Sequence, residues 1–409
     1  MTIAPDASTD RQWPEVDIDH HSAYFREHNY EIYQDLLARC PVAHSNTWGG
    51  FWFISDYQAV FDAVQDTDLF SSTPEKGVPT AGNPDPMIPI DIDPPQLEQY
   101  RRILLPRFSP GAAKNAEPLI RTMSTELIDT FIEAGEADIV GQLTTPLPAR
   151  LILKLLGMDE SRWPEWVDWT HSVVHDRSSE PAKAMAAVTS IYGGLVAEIV
   201  RRRTDGLGDD LFSDIMRGTV DGEPLPDGDV IGCALLMLLG GMDTTSGLTG
   251  NVLVRLDEDR ALRQRLADSP ELLVGATEEF LRHDTPTQGL ARIVTRDATF
   301  HGRELHAGDR VLLMYAAANR DPAVFDHPDD IDLDRSETRH LAFGAGKHRC
   351  LGSNYARVMF RVMMDEILRR LPDYRISGEV VRFADAGDVY AVRTLPIAFT
   401  PGPRVGVAG

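Results

Sequence analysis

Phe343-Gly344-Ala345-Gly346-Lys347-His348-Arg349-Cys350-Leu351-Gly352 holds one cysteine between glycines, with an aromatic residue seven positions before it and two cations, Lys347 and Arg349, close by. Such a stretch suits a thiolate that binds a metal from one side only. Gly344 and Gly346 can adopt φ > 0 and bring the backbone close to a flat ligand. Their N–H groups, and the dipole of a helix expected to begin after Gly352, stabilise negative charge on the sulfur. The alternative is a buried thiol in a glycine-rich turn, a common state for free cysteine.

The segment resembles the haem-binding signature of the cytochrome P-450 family: Phe343, Gly344, Gly346, His348, Cys350 and Gly352 stand at the family's spacing. A cysteine thiolate is one of the few axial ligands proteins give haem iron, and it favours O–O cleavage. The resemblance covers nearly the whole chain. It implies a mainly α fold, a helical prism with small peripheral β-sheets and haem b (iron protoporphyrin IX) between two long helices. It further implies a haem-thiolate monooxygenase that activates O2 with two external electrons and hydroxylates or dealkylates a small hydrophobic substrate.

Working outward, Leu238-Leu239-Gly240-Gly241-Met242-Asp243-Thr244-Thr245 lies inside a helix expected over Asp227–Leu256, with Asp227 as N-cap. Two glycines mid-helix cost roughly 1 kcal/mol each relative to alanine. Close helix packing at Gly240-Gly241 with a solvated Asp243 is one explanation. The stretch also resembles the family's distal oxygen-binding motif, with Gly240 where alanine is commoner. That reading makes Asp243 a proton relay from the surface and gives Thr244 a hydroxyl that positions water and protons at oxygen.

Glu279-Phe280-Leu281-Arg282 puts a carboxylate and a guanidinium on one helix face, and its place in the chain resembles the family's buried structural pair. The position of the family's usual third basic partner falls on Asp330 here, which leaves Arg335 or His327 to complete the network. Asp93-Pro94-Pro95-Gln96-Leu97-Glu98-Gln99-Tyr100-Arg101 resembles a haem-propionate segment in which Leu97 replaces a frequent histidine. Arg101, Arg292 and His348 are the expected propionate contacts. Position in the family puts Met87, Ile88, Leu236, Leu239, Gly240, Gly289, Leu290 and Val389 against the substrate, all apolar. No Lys or Arg lies between Gly77 and Ile92, which argues against a carboxylate anchor in that loop. The motif set is most similar to bacterial hydroxylases of camphor-like terpenoids, so a neutral terpenoid or a similar small lipophile is the expected substrate, with aromatic ethers, fatty acids and steroids as alternatives.

The formal net charge of -23 excludes nucleic acid and anionic membrane as main partners. Three scattered cysteines, Cys40, Cys233 and Cys350, form no disulfide framework and suit the cytoplasm. The polar N-terminus has no signal core, and residues 1–21 are expected to form a flexible tail ahead of one haem domain. With one helix and a short tail after Gly352, no fused reductase is expected, so electrons come from a ferredoxin or flavodoxin and its NAD(P)H-dependent reductase. Between Arg339 and Arg370 seven Lys/Arg face two acids, a reversal of the overall charge. It suggests a docking face with Lys347, Arg349 and Arg357, and with Arg102 nearby, although a solvated surface charge is the better reading of Arg102. A peroxide-driven peroxygenase and a non-catalytic haem sensor are the competing functions. The Asp243-Thr244 pair speaks against both.

Overall fold

The computed structural model describes residues 16–73, 76–79 and 85–406. It is mainly helical, as expected. Its helices include Ala23–Arg39, Gln96–Leu104, Pro110–Asp129, Pro146–Leu155, Pro181–Asp205, Asp227–Glu258, Leu273–His283 and Ser353–Arg370, and the central one and the last lie where they were expected. Four more, Tyr57–Gln65, Trp163–His175, Leu211–Arg217 and Arg260–Asp268, carry weaker sequence signals. Trp163–His175 begins with a proline in its first turn and no side-chain cap, so nothing but Pro164 marks its start. Asp56 and Ser109 cap their helices by accepting from the amides of Ala59 and Ala112.

The central helix, Asp227–Glu258, starts at the residue expected to cap it. Pro226 takes the N-cap place, so Asp227 and Asp229 lie in the first turn, where the helix dipole favours them. Most of its length is buried. Its small residues let neighbours approach: a Cβ on Gly232 would lie 2.3 Å from the carbonyl oxygen of Pro86, and one on Gly241 3.2 Å from Ile152. A Cβ on Gly240 would meet nothing within 4 Å, because that face opens onto a cavity. The packing explanation therefore holds for Gly241 and not for Gly240.

The largest sheet has five strands in the order Val42–Ser45, Phe51–Ile54, Arg310–Leu313, Leu290–Val294, Phe70–Ser71. Its first two strands form a hairpin, turned by Gly49 and Gly50, both at positive φ. Pro396–Ala398 pairs with Arg375–Ile376 and Glu136–Asp138 in a second sheet. The expected N-terminal tail is corrected in part. Residues 1–15 lie outside the described residues, but Val16, Ile18, His20 and His21 are buried. The Val16 amide donates to the carbonyl of His44, and Ile18 packs into the cluster built on Phe25 and Tyr33. Alternating apolar residues bury like an added strand, which a reading by polarity overlooks.

Candidate active site

The cysteine loop forms the floor of the cavity between the central helix and Ser353–Arg370. Gly344 and Gly346 adopt φ of 60° and 64°, and a Cβ on Gly346 would lie 2.9 Å from the carbonyl of Val64. These turns let the amide of Cys350 donate to the carbonyl of Phe343 at 2.9 Å and aim the thiol into the cavity. Desolvation by the surrounding protein raises the thiol's pKa, although the residue is open to the cavity. The amides of Gly352 and Ser353 and the guanidinium of Arg101 oppose it by stabilising the thiolate.

Beside this floor stand Arg101, Arg292 and His348, joined by Lys76, which belongs to no recognisable motif. Lys76 is ion-paired with Asp91, whereas no carboxylate among the described residues lies within 4 Å of Arg101 or Arg292. Arg292 is 2% exposed, so its uncompensated charge would cost several kcal/mol. Burial and the charges of Arg292, Lys76 and Arg101 push His348 down to about 3, so its ring is neutral at pH 7. A cluster of cations beside a cavity with a cysteine at its base fits a haem whose two propionates supply the missing anions. Leu97 points elsewhere. It is fully buried in the protein core, where its burial contributes about 2 kcal/mol.

On the opposite wall Gly240, Gly241, Thr244 and Thr245 line the cavity. The hydroxyl of Thr244 donates to the carbonyl of Gly240 at 3.0 Å, leaving its lone pairs turned to the cavity. Asp243 does not line the cavity. One residue away on a helix means about 100° of rotation, and its carboxylate is directed instead to Trp163–His175. There the Nε2 atoms of His171 and His175 lie 2.9 and 3.5 Å from it. Burial alone would raise the pKa of Asp243, but the two imidazoles, His171 foremost, hold it far below the usual carboxylate range. Burial works against charge on His171, and the Asp243 carboxylate overcomes it and raises its pKa. The side chain of His171 is 25% exposed, against 2% for Asp243, so His171 is the solvent-side end of the pair.

A raised folded pKa means that the His171 contribution is complete below the unfolded value near 6.5 and is lost as pH rises through the folded one. His171→Gln is therefore expected to lower stability by about 1–3 kcal/mol at pH 6 and by little at pH 9. Urea unfolding at the two pH values checks this. An equal loss at both would show that the imidazole contributes packing and no charge.

Glu279 and Arg282 form a bidentate pair, 2.8 Å on each arm, at 3% and 1% exposure. Of the two candidates for the third partner, Arg335 supplies the side chain: its Nε lies 3.1 Å from both carboxylate oxygens. His327 and Asp330 contribute only backbone carbonyls, which accept from Arg335 and, for Asp330, from Arg282 as well. Next to this network Glu278 binds Arg357 through two contacts of 2.6 Å, and the Arg357 guanidinium lies 4.5 Å from the centre of the Phe343 ring. Arg357 is thus corrected from a docking cation to a brace behind the cysteine loop. Lys347 is paired with Glu98 at 3.0 Å, while Arg102 and Arg349 are exposed with no carboxylate within 4 Å among the described residues.

Met87, Leu236, Leu239, Gly289, Leu290 and Val389 line the cavity. Ile88 does not. It is 1% exposed and packs onto the central helix, its amide donating to the Gly232 carbonyl at 3.2 Å. The missing side chain at Gly232 is what admits it. Two further lining residues, Arg177 and Asp388, lie 211 positions apart and escaped sequence reasoning.

A thiol floor, a cation cluster for two carboxylates and a hydroxyl-bearing helix opposite define an oxidoreductase of the haem-thiolate class. The cytochrome P450 family model matches residues 150–372, and the chain belongs to that family as a monooxygenase that takes its electrons from redox partners. It is 34% identical over 403 residues to a steroid C26-monooxygenase of Mycobacterium tuberculosis, covering 96% of this chain and 99% of the relative. It is 30% identical over 384 residues to linalool 8-monooxygenase of Pseudomonas putida, covering 90% and 95%. The structure of CYP109E1 from Bacillus megaterium in complex with testosterone superposes with a TM-score of 0.85 at 29% identity, covering 92% of this chain and 99% of that one.

Proposed function

We propose that this monooxygenase hydroxylates, or dealkylates, a neutral isoprenoid lipophile, a terpenoid or a steroid, using haem b and electrons from a ferredoxin. The observation that carries the substrate class is the apolar wall of Met87, Leu236, Leu239, Leu290 and Val389 facing the space between Thr244 and Cys350. The relatives named for steroid and linalool oxidation support it. Cys40 and Cys233 are buried away from the cavity, which leaves Cys350 as its cysteine and favours a non-covalently held haem b.

When bound, the haem supplies the oxygen-activating chemistry. Arg101, Arg292, His348 and Lys76 would hold its propionates, and Cys350 its iron. Phe343, Gly344 and Gly352 shape the loop around that sulfur, and Gly240, with Gly241 beside it, would leave the cavity wall of the central helix bare enough to admit the group. Thr244 holds a water or proton at the cavity face of that helix, and Asp243 passes protons to this face from the side where His171 meets solvent. The exposed, unpaired Arg349 and Arg102 offer the positive patch for an acidic ferredoxin, and three unpaired cysteines accord with the cytoplasm.

Optical titration of the ferric protein tests the substrate class. Terpenoids or steroids are expected to move the Soret band from low to high spin as they displace water. Shifts from fatty acids or aromatic acids alone would overturn it.

A further inference from the structure

We propose that Arg177 and Asp388 form a substrate subsite that recognises a hydroxyl or carbonyl oxygen on an otherwise apolar molecule. The inference rests on the lipophile reading above and narrows it. Arg177 follows the helix Trp163–His175, and Asp388 precedes Val389 in the turn bridged to Thr287. The two are joined through Nη2 and Oδ2, and both line the cavity. Their side chains are 18% and 36% exposed. Of the three Arg177 nitrogens only Nη2 has a hydrogen-bond partner among the described residues.

The cavity therefore has two polar regions with different chemistry. Near the cysteine, His348 feels Arg292, Lys76 and Arg101. Arg177 and Asp388 belong to a separate group around His21 and Asp385, built from the N-terminal and C-terminal segments. The first region carries excess positive charge, as two carboxylates require. The second is a balanced pair. A ligand carboxylate there would meet Asp388 as well as Arg177 and would have to break an existing ion pair. A hydroxyl can accept from the guanidinium and donate to the carboxylate, and a ketone can accept from the Nη1 N–H groups, since Nε is buried. A hydrocarbon leaves those groups covered and unsatisfied, which is costly. Discrimination by such a site exceeds what an apolar wall achieves. The pair thus fixes the oxygen-bearing end of the molecule on one wall and sets which carbon faces Thr244 and Cys350.

The test is spin-state titration and calorimetry of the holoenzyme with matched probes, cholesterol against cholestane and camphor against bornane. The oxygenated member of at least one pair is expected to bind about tenfold or more tightly than its hydrocarbon. Arg177→Ala should bring that ratio close to one without weakening the hydrocarbon, and Arg177→Gln, which keeps a donor, should retain part of it. The carbon monoxide spectrum of each variant verifies an intact thiolate site. Equal binding of both members by the natural protein, or a ratio unchanged in Arg177→Ala, overturns the subsite alone. Absence of any shift with all four probes, when acids do produce one, overturns the lipophile reading along with it.

Discussion

Thr244→Ala is expected to keep consuming NADH through the redox partners while product formation falls about tenfold or more and hydrogen peroxide accumulates. The expectation follows from where the side chain stands. The Thr244 hydroxyl spends its proton on the Gly240 carbonyl and turns its lone pairs towards the cavity, where they can hold a water. Alanine keeps the helix, for which it is the better former, and adds only a small apolar surface. Substrate binding and thermal stability should change little, so the loss is confined to the delivery of protons to oxygen. Thr244→Ser, which keeps the hydroxyl, should restore most of the coupling. The measurement is the ratio of product to NADH consumed, with peroxide assayed in parallel. Normal coupling in the alanine variant would remove Thr244 from the proton path and turn attention to Thr245, the neighbouring hydroxyl on the same wall.

What could be seen in the sequence were local features whose meaning is fixed by spacing. The cysteine loop is one, because glycines at fixed offsets force its shape whatever surrounds it. The central helix is another, since four unfavourable residues in its middle needed a reason. Pairings across long sequence distances could not be seen. Asp243 and His171 stand 72 residues apart, and His171 lies on a helix with no side-chain cap to announce it. Arg177 and Asp388 meet only when segments 211 residues apart are brought to one wall. Lys76 sits in a loop without periodicity, and its approach to His348 depends on Asp91 holding it. Ile88 failed for the opposite reason: a hydrophobic residue in the right loop chose the core, because Gly232 left a hole beside it. Charge was the least readable property. The excess of cations after Arg339 looked like a surface, yet Arg357 and Arg370 are turned onto Glu278 and Asp129.

Glu279→Gln is expected to cost about 3–5 kcal/mol, a large share of the 5–15 kcal/mol that usually holds a folded protein together. Glu279 accepts from Arg282 twice, from Arg335 and from the Asp332 amide at 2.9 Å. Burial would raise its pKa, and Arg282, that amide and Arg335 together lower it. Glutamine removes the charge and leaves two guanidiniums, with side chains 1% and 7% exposed, facing no anion. The damage should reach the active site by a short route. Arg282 donates to the carbonyl of Asn319 at 3.0 Å, and the Asn319 side chain accepts from the amide of Leu341 at 2.6 Å. Leu341 stands two residues before Phe343, where the cysteine loop begins. Loosening Glu279 therefore loosens the loop that presents Cys350, and the variant should hold haem poorly even where it folds. Because the folded pKa is depressed, the Glu279 contribution is complete above the unfolded value near 4.5 and is lost as pH falls through the folded one. The natural protein should thus lose this part of its stability on acidification, and the glutamine variant should show a flatter acid limb. Urea unfolding between pH 7 and pH 4 and the fraction of haem retained after gel filtration measure both effects. A variant with full haem content and unchanged urea midpoint at pH 7 would mean that the carbonyls around Arg282 and Arg335 hold the segment without the carboxylate.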